Sequence, residues 1–188
     1  MVPIIILEGP DGSGKTTLLH KLAEEFHLPI ASRVVSKAGE AEIDLAGWVD
    51  ETNEAGFQFK LYDRHRLISN PIYSPILGRA SQDAFRNRDW VIFATHNFYE
   101  QVDPCVIYCL PPLEVVRANV QADSTNHWLL GRIDAVYEAY LARAALEQAL
   151  RPARTAIYDY TTDGQEDNPV ATFKPWLVGW LIITKELT

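Results

Sequence analysis

Residues 9–16 read Gly-Pro-Asp-Gly-Ser-Gly-Lys-Thr. This G-x-x-x-x-G-K-[ST] spacing suits phosphate: the glycines let successive backbone N–H groups turn inward, and the lysine supplies one mobile cation. Gly12, Ser13, Gly14, Lys15, Thr16 and Thr17 would offer their amides as an anion-binding nest at a helix N-terminus. Lys15 is placed to reach the β- and γ-phosphates of a nucleoside triphosphate, and the Thr16 hydroxyl to ligate Mg²⁺. An ordinary Gly-rich turn requires neither the lysine nor the threonine.

A second constellation begins at Tyr62-Asp63-Arg64-His65 and continues through Ser69-Asn70-Pro71-Ile72-Tyr73. An arginine here can clamp an acceptor phosphate or the transferring group, and the aspartate can hold Mg²⁺ or accept a proton from an attacking oxygen. Alone, Asp-Arg also reads as an exposed ion pair, and Ser69-Asn70-Pro71 as a plain turn. The five histidines show no ligand spacing, so no protein-held zinc is expected. Cys105 and Cys109 lie four apart in one apolar run. On a strand they share a face but stand beyond disulfide reach, which points to free thiols in a reducing, cytoplasmic setting.

These groups need elements to carry them. Val2 to Leu7 is apolar and β-branched, as a strand buried on both faces should be, and Thr17 to Phe26 has Leu18, Leu19, Leu22 and Phe26 at helical spacing. The phosphate loop therefore sits between strand and helix. Further strands are expected at Leu28–Ala31 with Val34-Val35, at Phe57–Tyr62, at Val106–Leu110 and at Thr155–Tyr160. Helices are expected at 39–53, across most of Ser81–Glu100, from Pro112 to about Gln121, over Trp128–Leu150 and from Asn168 to Leu187. Within Ser81–Glu100, Trp90–Ala94 suits a strand equally well. Strands alternating with helices imply a parallel sheet covered on both faces. Asp63 and Arg64 end a strand, so they belong on the rim that carries the phosphate loop.

The 188 residues suit a single domain, 1–188, and 47% apolar residues is a globular composition. A net charge of −8 repels nucleic-acid backbone, and no local basic patch offsets it, so a small-molecule partner is expected and a nucleic acid is not. Eleven arginines against six lysines fit a pocket holding several phosphates. The chain opens without a basic leader, and Trp176–Ile183 is too short to span a bilayer, so no membrane partner is expected. Trp176 and Trp180, four apart, read as core, with a homodimer contact as the alternative.

Glu8-Gly9-Pro10-Asp11-Gly12-Ser13-Gly14-Lys15-Thr16-Thr17, Asp63-Arg64-His65 with Ser69-Asn70, and Asp103-Pro104 through Pro112-Leu113-Glu114-Val115 together resemble the thymidylate kinases of the P-loop nucleoside monophosphate kinase family. The resemblance implies a three-layer P-loop kinase fold with a parallel five-stranded sheet, helices on both faces and a short lid at about 118–131. It also implies transfer of the ATP γ-phosphoryl group to a deoxynucleoside monophosphate, dTMP or a relative, with Mg²⁺. By position, Asp11 would touch the acceptor sugar, Arg64 its phosphate, Ser69 and Asn70 its base, and Tyr73 its sugar. The lid-like stretch carries no Lys or Arg, and Arg117 and Arg132, which flank it, are the candidates for ATP phosphates. Two rivals remain: a deoxynucleoside kinase, which needs a carboxylate base for a neutral hydroxyl, and a P-loop enzyme acting on a modified base in DNA.

Overall fold

A computed structural model describes residues 4–27, 30, 60–78, 96, 98–100, 102–162, 173–175, 177 and 179. The apolar run after the amino terminus forms β1 (Ile4–Glu8), fully buried, and α1 (Lys15–Phe26) follows the phosphate loop. Then come β2 (Lys60–Asp63), α2 (Arg66–Leu77), β3 (Cys105–Cys109), α3 (Leu113–Ala122), a 3₁₀ turn (Ser124–Leu129), α4 (Ile133–Leu150) and β4 (Thr155–Tyr158). Among the described residues the sheet has four strands, all parallel, in the order β2-β1-β3-β4. Ile30 adds a parallel bridge to Leu61 on the outer side of β2. The rest of the expected second strand, the helix at 39–53 and Phe57–Phe59 lie outside the described residues, as do Trp176 and Trp180.

Alternation along the strands divides the core in two. Ile4, Ile6, Tyr62, Val106 and Tyr108 face α2, α3 and α4, where Leu67, Ile68, Val116, Val120, Val136 and Tyr140 meet them. Ile5, Leu7, Leu61, Ile107 and the two cysteines face Leu18, Leu19 and Leu22 of α1, with Phe173 and Leu177 beside them. Both cysteines are free, and burial pushes each thiol up to about 12, so they act as packing groups.

Two elements differ from expectation. The segment after Arg64 is a helix that runs through both Pro71 and Pro75, where Ser69-Asn70-Pro71 could have been a turn. The expected helix from Trp128 instead begins at Ile133, because Asp123 caps a separate 3₁₀ turn by accepting from the Thr125 N–H. Residues 96, 98–100 and 102 are helical, and the remainder of 81–100 lies outside the described residues, as does most of the last helix. No helix among the described residues is long and apolar enough to cross a membrane.

Candidate active site

The site sits at the carboxyl ends of β1 and β2, the strand ends at which open parallel sheets bind ligands. Gly12 and Gly14 lie at φ 78° and 80°, a backbone region that L side chains rarely adopt. A Cβ on Gly12 would stand 3.0 Å from Val120 Cγ2, so the loop is seated directly on α3. Gly14 then caps α1, its carbonyl accepting from the Leu18 N–H at 3.1 Å. The N–H groups before it are the helix's free donors, ready for an anion.

Lys15 is buried with its ammonium folded over this loop, donating to Pro10 O at 2.5 Å and to Ser13 Oγ at 3.3 Å. Burial lowers its pKa to about 8, Arg64 adds to the effect, and Asp11, Cys109 and Asp63 oppose it. A cation so crowded gains from a polyphosphate, which would supply the missing negative charge.

Arg64 points at the same loop. Its backbone takes φ 67°, held by Arg64 N–H to Leu7 O at 2.9 Å, and this turn throws the side chain across β1. The guanidinium pairs with Asp11 Oδ1 at 2.8 Å and donates to Tyr73 Oη at 2.8 Å and Gly9 O at 3.3 Å. The Tyr73 hydroxyl in turn donates to Asp11 Oδ2 at 2.9 Å, closing a ring of three side chains. Burial alone would raise the Asp11 carboxyl, but Arg64, Lys15 and Tyr73 together hold it below its ordinary value, so it stays ionised.

Glu8 carries no role in the sequence reading, yet it underpins this turn. Fully buried, it accepts from the His65 N–H at 2.6 Å, from Ser69 Oγ at 3.0 and 3.2 Å, and from the Tyr140 hydroxyl at 3.0 Å. Burial pushes its carboxyl up to about 7 against the pull of those donors and of Arg64. Ser69, expected near the acceptor base, lies four residues after His65 on α2, buried, with its hydroxyl turned inward to Glu8. Asn70, one residue on, is half-buried.

Asp63 Oδ1 is buried without a hydrogen-bond partner at the end of β2. Thr16 is exposed in the first turn of α1. A hydroxyl and a carboxylate oxygen are hard donors of the kind Mg²⁺ prefers, and Mg²⁺ ordinarily takes its remaining ligands from phosphate and water. Among the described residues no group of three or more His, Cys, Asp or Glu gathers into a metal-holding cluster.

The two arginines expected at the ATP phosphates are engaged elsewhere. Arg117 forms a bidentate pair with Asp134 of α4, at 2.8 and 2.6 Å, and Arg132 donates to Ile76 O at 2.7 Å. Asn119 touches the loop instead, donating to Gly12 O at 2.8 Å and to Tyr160 Oη at 2.9 Å. Its only sequence signal is a polar residue next to the buried Val120 and three after the buried Val116.

Fold and site together define an α/β protein with a parallel sheet flanked by helices and the fold of the P-loop nucleotide kinases. Among solved structures, the chain is similar to the YorR protein of Bacillus subtilis in complex with phosphorylated GDP, at a TM-score of 0.61 and 20% identity, covering 94% of this chain and 95% of that one. It is also similar to deoxyadenosine kinase from M. mycoides with products dCMP and dCDP bound, at a TM-score of 0.57 and 13% identity, covering 91% and 97%. A curated relative, the Holliday junction branch migration complex subunit RuvB of Salinibacter ruber, is 31% identical over 166 residues, which is 85% of this chain. The chain spans 44% of that relative's length. No protein-family model matches.

Proposed function

We propose that this chain is an ATP-dependent nucleotide kinase that phosphorylates a deoxynucleoside monophosphate, dTMP or a close relative. One observation carries the reading: Arg64, from the end of β2, turns onto Gly9 and Asp11 of the phosphate loop. A group held by Arg64 would therefore lie beside one held by the phosphate loop. Lys15 and the amides of residues 12–17 hold the β- and γ-phosphates, while Arg64 holds the acceptor phosphate in line. An acceptor phosphate oxygen forms a bond to the γ-phosphorus as the bond from phosphorus to the β–γ bridging oxygen breaks, leaving ADP. Thr16 and Asp63 would hold Mg²⁺, which offsets the charge on the phosphates when bound. Asp11 and Tyr73, joined to Arg64, border the place where the acceptor sugar would lie.

A deoxynucleoside kinase is the second reading. The likeness to deoxyadenosine kinase favours it, as does the unpartnered Asp63 Oδ1, which can take a proton from a neutral 5′-hydroxyl. Incubating the chain with γ-labelled MgATP and, separately, deoxynucleosides, their monophosphates and duplex DNA distinguishes the readings. Label on a monophosphate supports the proposal, and label only on nucleosides or only on DNA replaces it.

A further inference from the structure

The stretch 118–131, expected as a short lid, contains no Lys or Arg, and its first residues belong to α3. Its contribution to the site is an amide. Asn119 spends both hydrogens of its Nδ2, one on Gly12 O and one on Tyr160 Oη. Gly12 is packed against the same helix from above: its Cβ position lies 3.1 Å from Asn119 Cβ and 3.1 Å from Val116 O. Tyr160, from the turn after β4, lies along Gly14, whose Cβ position is 3.0 Å from the ring. One amide therefore joins the phosphate loop, α3 and the chain beyond β4.

The bond to Gly12 O has a directional consequence. Carbonyl and N–H of one peptide point in opposite directions, so holding Gly12 O outward turns the Ser13 N–H inward. That N–H is directed at Pro10 O, 3.4 Å away, the carbonyl that also takes the Lys15 ammonium. We propose that Asn119 is a positioning residue for the donor nucleotide: from α3 it holds Gly12 O, and so keeps the phosphate loop in the turn that the Ser13 N–H closes onto Pro10 O. The proposal rests on the nucleotide-kinase reading and adds to it the means by which α3 acts on the donor.

The test is calorimetric titration of the full chain with MgATP and MgADP, alongside steady-state kinetics. Asn119→Ala is expected to weaken both nucleotides about fivefold, the scale of one ordinary hydrogen bond, with kcat at saturating ATP and KM for the acceptor within about twofold of wild type. Asn119→Asp, which sets an oxygen against Gly12 O, is expected to weaken them further. Tyr160→Phe keeps the ring along Gly14 and should change affinity less than about twofold. If wild type binds, Lys15→Ala does not and Asn119→Ala binds as wild type, the proposal fails alone. A loss of thermal stability in Asn119→Ala with unchanged nucleotide affinity also overturns it, since that is a structural role. If wild type binds neither nucleotide, the kinase reading falls and takes this inference with it.

Discussion

Tyr73 is the smallest unit at which the acceptor grip can be tested. Its hydroxyl accepts from Arg64 and donates to Asp11, so one oxygen holds a cation and an anion in register. The Arg64 guanidinium also lies over the Tyr73 ring, 4.9 Å from its centroid. Phenylalanine would keep that ring contact and lose only the bridge. We expect Tyr73→Phe to raise KM for the acceptor about tenfold while leaving the affinity for MgATP within about twofold, because hydrogen bonds to charged groups are the stronger kind. Varying each substrate in turn checks this, and a wild-type acceptor KM would remove Tyr73 from the site. The convergence of Asp11, Arg64 and Tyr73 was legible as two separate motifs; their direct contact was not, since Tyr73 and Asp11 are 62 residues apart.

At the scale of elements, the turn from β2 into α2 depends on Glu8. Its carboxyl stands raised from 4.5 to about 7 in the folded chain, so folding favours the protonated form. No penalty exists below about pH 4.5; it grows as pH rises and is complete above about pH 7, which destabilises the fold across that window. Relative to Glu8→Gln, which cannot ionise, wild type should lose up to about 3 kcal/mol of unfolding free energy between pH 4.5 and 7.5. Denaturant unfolding of both proteins at each pH checks it; parallel pH profiles would mean that Glu8 titrates normally. The strand, loop and helix at 4–26 were readable because an apolar run, the glycine spacing and helical periodicity agree locally. α2 was not readable, because Pro71 and Pro75 argue against a helix that tertiary packing of Leu67, Ile68 and Ile72 nevertheless sustains. Glu8 and Asn119 act through partners as many as 132 and 107 residues away, beyond any local pattern.

Across the whole molecule, the parallel order β2-β1-β3-β4 is what gives the site its two sides. β1 and β2 are neighbours in matching direction, with Leu7 opposite Asp63, so the phosphate loop and Arg64 emerge together on one rim. Alternation of strands and helices foretold that arrangement; the seating of the loop on α3 through Val116, Asn119 and Val120 required the folded chain. The division of labour between the phosphate loop and Arg64 is open to a direct measurement: binding of MgATP and of the deoxynucleoside monophosphate, each by itself, to Lys15→Ala and Arg64→Ala. Lys15→Ala should lose MgATP and turnover while keeping the monophosphate, and Arg64→Ala should lose the monophosphate, by about a hundredfold for a buried charge-assisted contact, while keeping MgATP. Turnover surviving in Lys15→Ala, or an Arg64→Ala chain that binds the monophosphate as wild type does, would contradict the account.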